Sequence, residues 1–166
     1  MTASRTYVLD ANVFIEAARR YYAFDIAPLF WQMLIDHADN GQVLSIDRVK
    51  VELERGKDNL AEWANGGFHE FFASTDDGEV TTAYQRMMVW SQGQSQFTDA
   101  AKAEFARVPD AWLVAYALAK GCVVVMHEQF SPNARARILI PNACQAFNVE
   151  YVDTFQMMRA LEVRLG

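Results

Sequence analysis

A single α/β domain, with a central parallel sheet and helices on both faces, is the fold class this sequence predicts, and three observations predict it. Short β-prone runs alternate with stretches of helical periodicity along most of the chain, an order that calls for right-handed crossovers between parallel strands. The run Cys122-Val123-Val124-Val125-Met126 is apolar throughout, as a strand covered on both faces is. No repeat, low-complexity tract or linker interrupts the 166 residues, and a 52% hydrophobic content is enough for one core.

Taken in order, Tyr7-Val8-Leu9 reads as a first strand, and Asp10-Ala11-Asn12 offers a cap to a helix carrying Val13, Ile15, Ala17, Ala18 and Tyr21. Pro28 suits the first turn of a second helix with Leu29, Phe30, Met33 and Leu34 on its apolar side, stopping at Asn40-Gly41. Val43-Leu44-Ser45-Ile46 is a second strand. A helix runs from about Asp47 to Arg55 and ends at Gly56; Leu60 to Phe72 continues as helix or turn, broken at Gly66-Gly67. Asp76 to Gln96 gives another amphipathic helix, closing in the polar connection Ser91 to Ser95. After Val108-Pro109, Asp110 caps a helix with Leu113, Val114, Ala117 and Leu118, and Gly121 ends it. Pro141 opens a further helix, Val149-Glu150-Tyr151-Val152 forms a last strand, and Asp153 or Thr154 caps a terminal helix reaching Arg164.

Composition excludes several classes. The start, Met1-Thr2-Ala3-Ser4-Arg5-Thr6, leaves no room for a secretory apolar region, and no stretch approaches bilayer-spanning length, so a cytoplasmic location with no membrane partner is expected. Two cysteines, Cys122 and Cys144, are too few for a disulfide framework and read as reduced packing residues. A net charge of −6 argues against general electrostatic binding to nucleic acid, so any nucleic acid must be held locally. An acidic metal centre remains compatible with that charge.

Acidic residues gather where the strands end. Asp10 follows Leu9, the helix after Ile46 bears Glu52, Glu128 follows Met126-His127, and Asp110 opens the helix leading into the Val123 run. In a parallel sheet these positions lie at one edge or within a helical turn of it, where ligands collect. Hard divalent cations take such oxygen-rich sites, Mg²⁺ keeping waters for substrate phosphate to displace. Each acid has a plainer role open to it: Asp10 and Asp110 as N-caps, Glu52 on a solvated helix face, Glu128 as a loop charge. Asp47 and Glu54 compete with Glu52 for the second position, which helical spacing does not decide.

Val8-Leu9-Asp10-Ala11-Asn12-Val13-Phe14 resembles the opening of PIN domains, where the first metal-binding Asp ends strand one and an Asn or Ser two residues on supports it. Glu52-Leu53-Glu54-Arg55-Gly56 is similar to that family's E-L-x-x-G element, which selects Glu52. Asp110-Ala111-Trp112-Leu113-Val114-Ala115-Tyr116-Ala117 resembles its third element, an Asp opening an Ala-rich helix. At the fourth, Met126-His127-Glu128 stands where many PIN domains have T-x-D, with a thioether for the hydroxyl and a longer Glu for the Asp. The tail, from Ile140-Pro141-Asn142-Ala143-Cys144 through Thr154-Phe155-Gln156-Met157-Met158-Arg159, looks like a poorly characterised bacterial PIN subfamily.

The resemblance spans nearly the whole chain, so residues 1–166 are read as one PIN-like nuclease domain. It implies a divalent-metal-dependent endoribonuclease, often the toxin of a toxin–antitoxin pair of the VapBC kind. Asp10, Glu52, Asp110 and Glu128 would be its catalytic residues and would hold Mg²⁺ or Mn²⁺, with Asn12 orienting Asp10 or a metal-bound water. RNA, an antitoxin protein and a second copy of the chain are the expected partners.

Among other residues, His37, His69 and His127 lack the spacing of a zinc site. His127 is open to a phosphate contact or proton transfer, although along a strand it points away from Glu128. Arg48, Lys50, Arg55 and Lys57 surround the second acid, and Arg135 and Arg137 follow the fourth; Arg48, Arg55, Arg135 and Arg137 are taken as local holders of RNA phosphates. Trp31, Trp63, Trp90 and Trp112 are open to roles as stacking platforms for bases, as core or a dimer surface, or as a docking surface for an antitoxin peptide. A phosphatase of the haloacid dehalogenase type wants a second acid two residues after Asp10, where this chain has Asn12; a nucleotide-binding module wants a Gly-rich loop after the first strand, and none follows. The remaining alternative is a catalytically weak PIN scaffold acting by protein–protein binding, motivated by Met126 and Glu128.

Overall fold

The computed structural model describes residues 5–166; Met1 to Ser4, where a secretory segment was argued against, lie outside the described residues. Five strands, β1 (Tyr7–Leu9), β2 (Val43–Ile46), β3 (Phe72–Ala73), β4 (Val123–Val125) and β5 (Tyr151–Val152), form one sheet in the order β3-β2-β1-β4-β5. Every pairing is parallel, with Tyr7 aligned on Val43 to one side and on Val123 to the other. The predicted fold class therefore holds. The chain builds outward from β1 through β2 and β3, then returns to build β4 and β5 on the opposite side. The reversal falls between β1 and β4, and in open parallel sheets the crevice outside the carboxyl ends of such strands is where ligands bind.

Helices connect and cover the strands: α1 (Ala11–Glu16), continuing into a π-turn at Ala17–Tyr21, α2 (Pro28–Asp39), α3 (Asp47–Glu54), α4 (Asn59–Asn65), α5 (Gly78–Gln92), α6 (Asp99–Arg107), α7 (Asp110–Lys120), α8 (Ile140–Ala146) and α9 (Thr154–Ala160). The short strands are apolar because both faces are covered, and all three residues of β1 and of β4 are buried. Helix α7 is the core helix. It buries Ala111, Leu113, Val114, Ala115 and Ala117, its small residues admitting neighbours closely, and Gly121 stops it in the left-handed conformation at φ +71°. An aromatic cluster fills the β3 side, with Trp63 stacked on Phe68 at 4.8 Å and edge-on to Trp31 at 4.8 Å. Trp31 and Trp63 are thereby packing residues. Both cysteines are free and buried, and burial pushes the Cys144 thiol up to about 12. Among the described residues no helix is long and apolar enough to cross a membrane.

Several elements differ from expectation. The segment read as helix or turn to Phe72 ends in a 3₁₀ turn, His69–Phe71, and then in β3, which at two residues has no periodicity to betray it. Helix α6 was not foreseen, because its buried face consists of only Ala101 and Phe105. In α2 it is Trp31 that turns inward, while Leu29 is 57% exposed. Helix α9 stops at Ala160, short of Arg164, after a capping box in which Asp153 rather than Thr154 accepts from the Gln156 amide. Asp110 is the first helical residue of α7, not its cap; Pro109 holds that position.

Candidate functional site

Asp10 lies where β1 stops. Its amide donates to the Val125 carbonyl at 2.9 Å, tying the carboxyl ends of β1 and β4 together, and on the other side Ser45 Oγ donates to the Leu9 carbonyl at 2.6 Å. Asp10 occupies the N-cap position of α1, yet its side chain caps nothing, contrary to the plainer role open to it. It is 3% exposed, and its Oδ2 is buried without a hydrogen-bond partner. Burial foremost, then the charges of Asp110, Glu128 and Glu52, push this carboxyl well above the usual range. A buried, unpaired carboxylate costs several kcal/mol. The position is comfortable only with a proton or a cation.

Asp10, Asn12, Glu52, Asp110 and Arg137 line one cavity of about 410 Å³ with Glu104 and Phe105 of α6. Glu52 reaches it from α3 at a solvent-facing rim; partial burial raises its pKa while Arg55 lowers it. Its rivals are engaged elsewhere. Asp47 accepts from the amide and hydroxyl of Thr75 at 3.0 and 2.8 Å, holding the end of β3, and Glu54 pairs with Lys50 at 3.5 Å. Asp110 projects from the first turn of α7, and its carboxyl is raised to about 6 by burial and then by Glu128, against the lowering influence of Arg137. Glu128 lies just past β4, and its Oε1 accepts from the Ile140 amide in the first turn of α8 at 3.0 Å. Glu128 stands close enough for its charge to raise the Asp110 carboxyl.

The loop between β4 and α8 brings Arg137 over these acids, its Nη2 3.5 Å from Asp110 Oδ2 and 3.2 Å from Glu128 Oε2. Among the described residues no three His, Cys, Asp or Glu side chains are drawn together tightly enough to hold a metal ion as they stand. Two of the four acids spend their charge on Arg137 instead. The donor set, four carboxylates with one buried oxygen lacking any partner, is nonetheless the oxygen-rich chemistry that Mg²⁺ and Mn²⁺ favour.

Other expected residues divide. Asn12 lines the cavity with Asp10 but leaves Asp10 Oδ2 without a hydrogen-bond partner. Arg55 faces Glu52. Arg135 lines a separate cavity with Gln96 and Asn133 and does not join the acids. His127 points away from the site, its Nδ1 3.1 Å from Glu16 Oε2 and its Nε2 2.6 Å from Thr154 Oγ1, so it clamps α1 and α9 to the end of β4. Sequence reasoning missed Glu104 and Phe105 because it missed α6. The signal was present in Thr98, which caps the Ala101 amide, and in Asp99 and Arg107 at the helix ends.

The profile of DUF4411, a domain of unknown function, matches residues 7–165. No curated protein matches the sequence. Among solved structures, the chain is similar to VapBC2 from Rickettsia felis bound to a DNA fragment from their promoter, with a TM-score of 0.53 and 14% identity over 89% of this chain and 98% of that one. It is also similar to FitAcB from Neisseria gonorrhoeae, with a TM-score of 0.55 and 16% identity over 88% of this chain and 96% of that one. At such identities the likeness establishes the fold, and that fold is the PIN-like one the motifs resemble.

Proposed function

The chain belongs to the DUF4411 family, so its activity must be read from its own residues, and we propose that it is a divalent-cation-dependent endoribonuclease, a phosphodiester hydrolase of cytoplasmic RNA. One observation carries this reading. Asp10, with a buried oxygen that nothing satisfies, feels the charges of Asp110, Glu128 and Glu52 at the carboxyl edge of β1 and β4.

Asp10, Glu52, Asp110 and Glu128 would hold Mg²⁺ or Mn²⁺, which when bound supplies water activation and charge stabilisation at the scissile phosphate and its leaving oxygen. Asp10 contributes the donor oxygen that the fold leaves without a partner. Glu128, fixed through one oxygen by the Ile140 amide, presents the other to Arg137, which also reaches Asp110. Asn12 lines the cavity beside Asp10 as a polar group for orienting a water. Arg137, half-exposed and paired with Asp110 and Glu128, is free to exchange those carboxylates for a substrate phosphate.

The similarity to VapBC2 supports a further reading of the chain as the toxin of a toxin–antitoxin pair, held by an antitoxin protein. A small overlapping upstream gene would support that assignment; its absence across relatives would count against it. A second reading, a weakly catalytic scaffold that works by binding protein, draws support from Arg137 engaging two of the four acids. One assay separates the two. Purified chain and its Asp10→Asn variant are incubated with single-stranded and structured RNA in Mg²⁺, in Mn²⁺ and in excess chelator. Cleavage that needs the cation and is lost in the variant supports the nuclease; cleavage undiminished by chelator removes the metal mechanism, and none in any condition favours the scaffold.

A further inference from the structure

A second cavity, of about 400 Å³, adjoins the acidic one, sharing Glu52, Glu104 and Val108 with it, and its other wall is basic and aromatic: Arg48, Arg55, Arg107 and Trp112. Trp112 stands in a three-layer stack. Tyr84 covers one face, with centroids 3.8 Å apart and planes 7° from parallel, and the guanidinium of Arg48 lies over the ring at 4.0 Å. With Tyr84 on one face, Arg48 must be on the other.

Each outer layer is pinned. The Tyr84 hydroxyl donates to the Ala106 carbonyl at 3.0 Å. Arg48 Nε donates to Thr75 Oγ1 at 3.0 Å, and the buried Thr75 hydroxyl donates in turn to Asp47 Oδ1 at 2.8 Å. Trp112 is therefore covered by Tyr84 and Arg48, and exposed Arg48 forms the outer layer of the stack. Among the described residues Arg48 makes no ion pair, so its terminal nitrogens remain available. An exposed guanidinium held in place over an aromatic ring can stack on an unpaired base. A base inside a duplex has no free face to offer it.

We propose that this cavity binds a nucleotide of single-stranded RNA next to the scissile phosphate, its base stacked on Arg48 and its backbone phosphate facing Arg55 and Arg107. Arg107 is partly committed to Glu104, at 2.6 Å, whereas the charge of Arg55 acts on Glu52, which the two cavities share. The inference rests on the ribonuclease reading, and it locates where the strand runs on leaving the acids.

The test uses single-stranded RNA hexamers, one intact and others carrying an abasic residue at each position in turn, with binding measured in Ca²⁺ and cleavage in Mn²⁺. The intact hexamer should bind the full chain roughly tenfold more tightly than the worst abasic one, as base stacking typically contributes. Arg48→Lys keeps the charge and removes the plane. It should bring that ratio toward one while leaving the salt dependence of binding unchanged. Abasic hexamers that bind like the intact one, or a ratio that survives Arg48→Lys, would overturn the proposal. Base-dependent binding sensitive to Arg48→Lys without cleavage in Mn²⁺ would support the base site and sink the nuclease; cleavage without base dependence would sink the base site alone.

Discussion

Arg137 Nη2 lies 3.2 Å from Glu128 Oε2, so the chain itself supplies a cation to the acidic cavity. That cation is on a loop and half-exposed, while the carboxylate it meets is anchored to α8. The movable partner is the arginine.

Replacing Arg137 with Ala should therefore change metal affinity more than stability. Arg137 is 54% exposed, but Asp110 and Glu128 are each 13% exposed and lose its charge, so the cation-free melting temperature should fall by a few degrees, at roughly 2–4 °C per kcal/mol. Stabilisation by Mn²⁺ should grow, because nothing then competes for Asp110 and Glu128. Arg135→Ala, whose side chain lines a separate cavity, should leave that increment unchanged. Thermal melts of both variants with and without Mn²⁺ check this; an unchanged or smaller increment in Arg137→Ala refutes the competition.

Asp110→Asn isolates charge from folding, since Pro109 and not Asp110 holds the cap position. The loss of a first-turn anion costs about 0.3–1 kcal/mol, whereas relief of repulsion from Glu128 works the other way. Cation-free stability should stay level or rise, the Mn²⁺ increment should shrink, and RNA cleavage should collapse. Equal Mn²⁺ shifts in variant and parent would remove Asp110 from the set of metal-holding acids.

The pH dependence has a definite sign. Asp110 titrates at about 6 in the folded chain against 3.8 as a free side chain, so between those values the folded state keeps a proton that the unfolded state has lost. Without cation, stability should rise as pH falls from about 6 toward 4, by a few degrees at roughly 2–4 °C per kcal/mol. Asp77, which Lys120 holds below the usual range, opposes this only at still lower pH. In Mn²⁺ the trend should reverse, because the cation needs the ionised form. A melting temperature that falls with pH in chelator would contradict the assignment.

His127→Ala should behave as a structural lesion. Losing its bonds to Glu16 and Thr154 should cost about 1–2 kcal/mol and leave kcat within about twofold. A large loss of kcat at unchanged stability would return His127 to the chemistry.

Legibility followed signal strength. β1, β2 and β4 were readable because fully covered strands are short apolar runs, and Asp10, Asp110 and Glu128 stood out as candidates by following those runs or opening a helix, whereas Glu52, inside α3, was singled out only by the resemblance of Glu52-Leu53-Glu54-Arg55-Gly56. Asp110 is legible from sequence both as a helix cap and as an acid of the site; that Pro109 holds the cap position depends on backbone angles sequence does not carry. Arg137 was visible only as a charge after the fourth acid. Its contact with Asp110 and Glu128 depends on an irregular loop, which has no period to read, and α6 was lost because two inward residues make too faint a stripe.

The strand order also governs when the cavity comes into being. β1 is separated from its neighbour β4 and from the loop bearing Arg137 by more than a hundred residues, and the Asp10 amide has no Val125 carbonyl to meet until that later stretch has been made. Contacts so distant along the chain form late and slowly. A chain interrupted before β4 would hold Asp10 and Asp110 but lack Glu128, Arg137 and the strand that anchors the Asp10 amide, so the cavity would stay unbuilt.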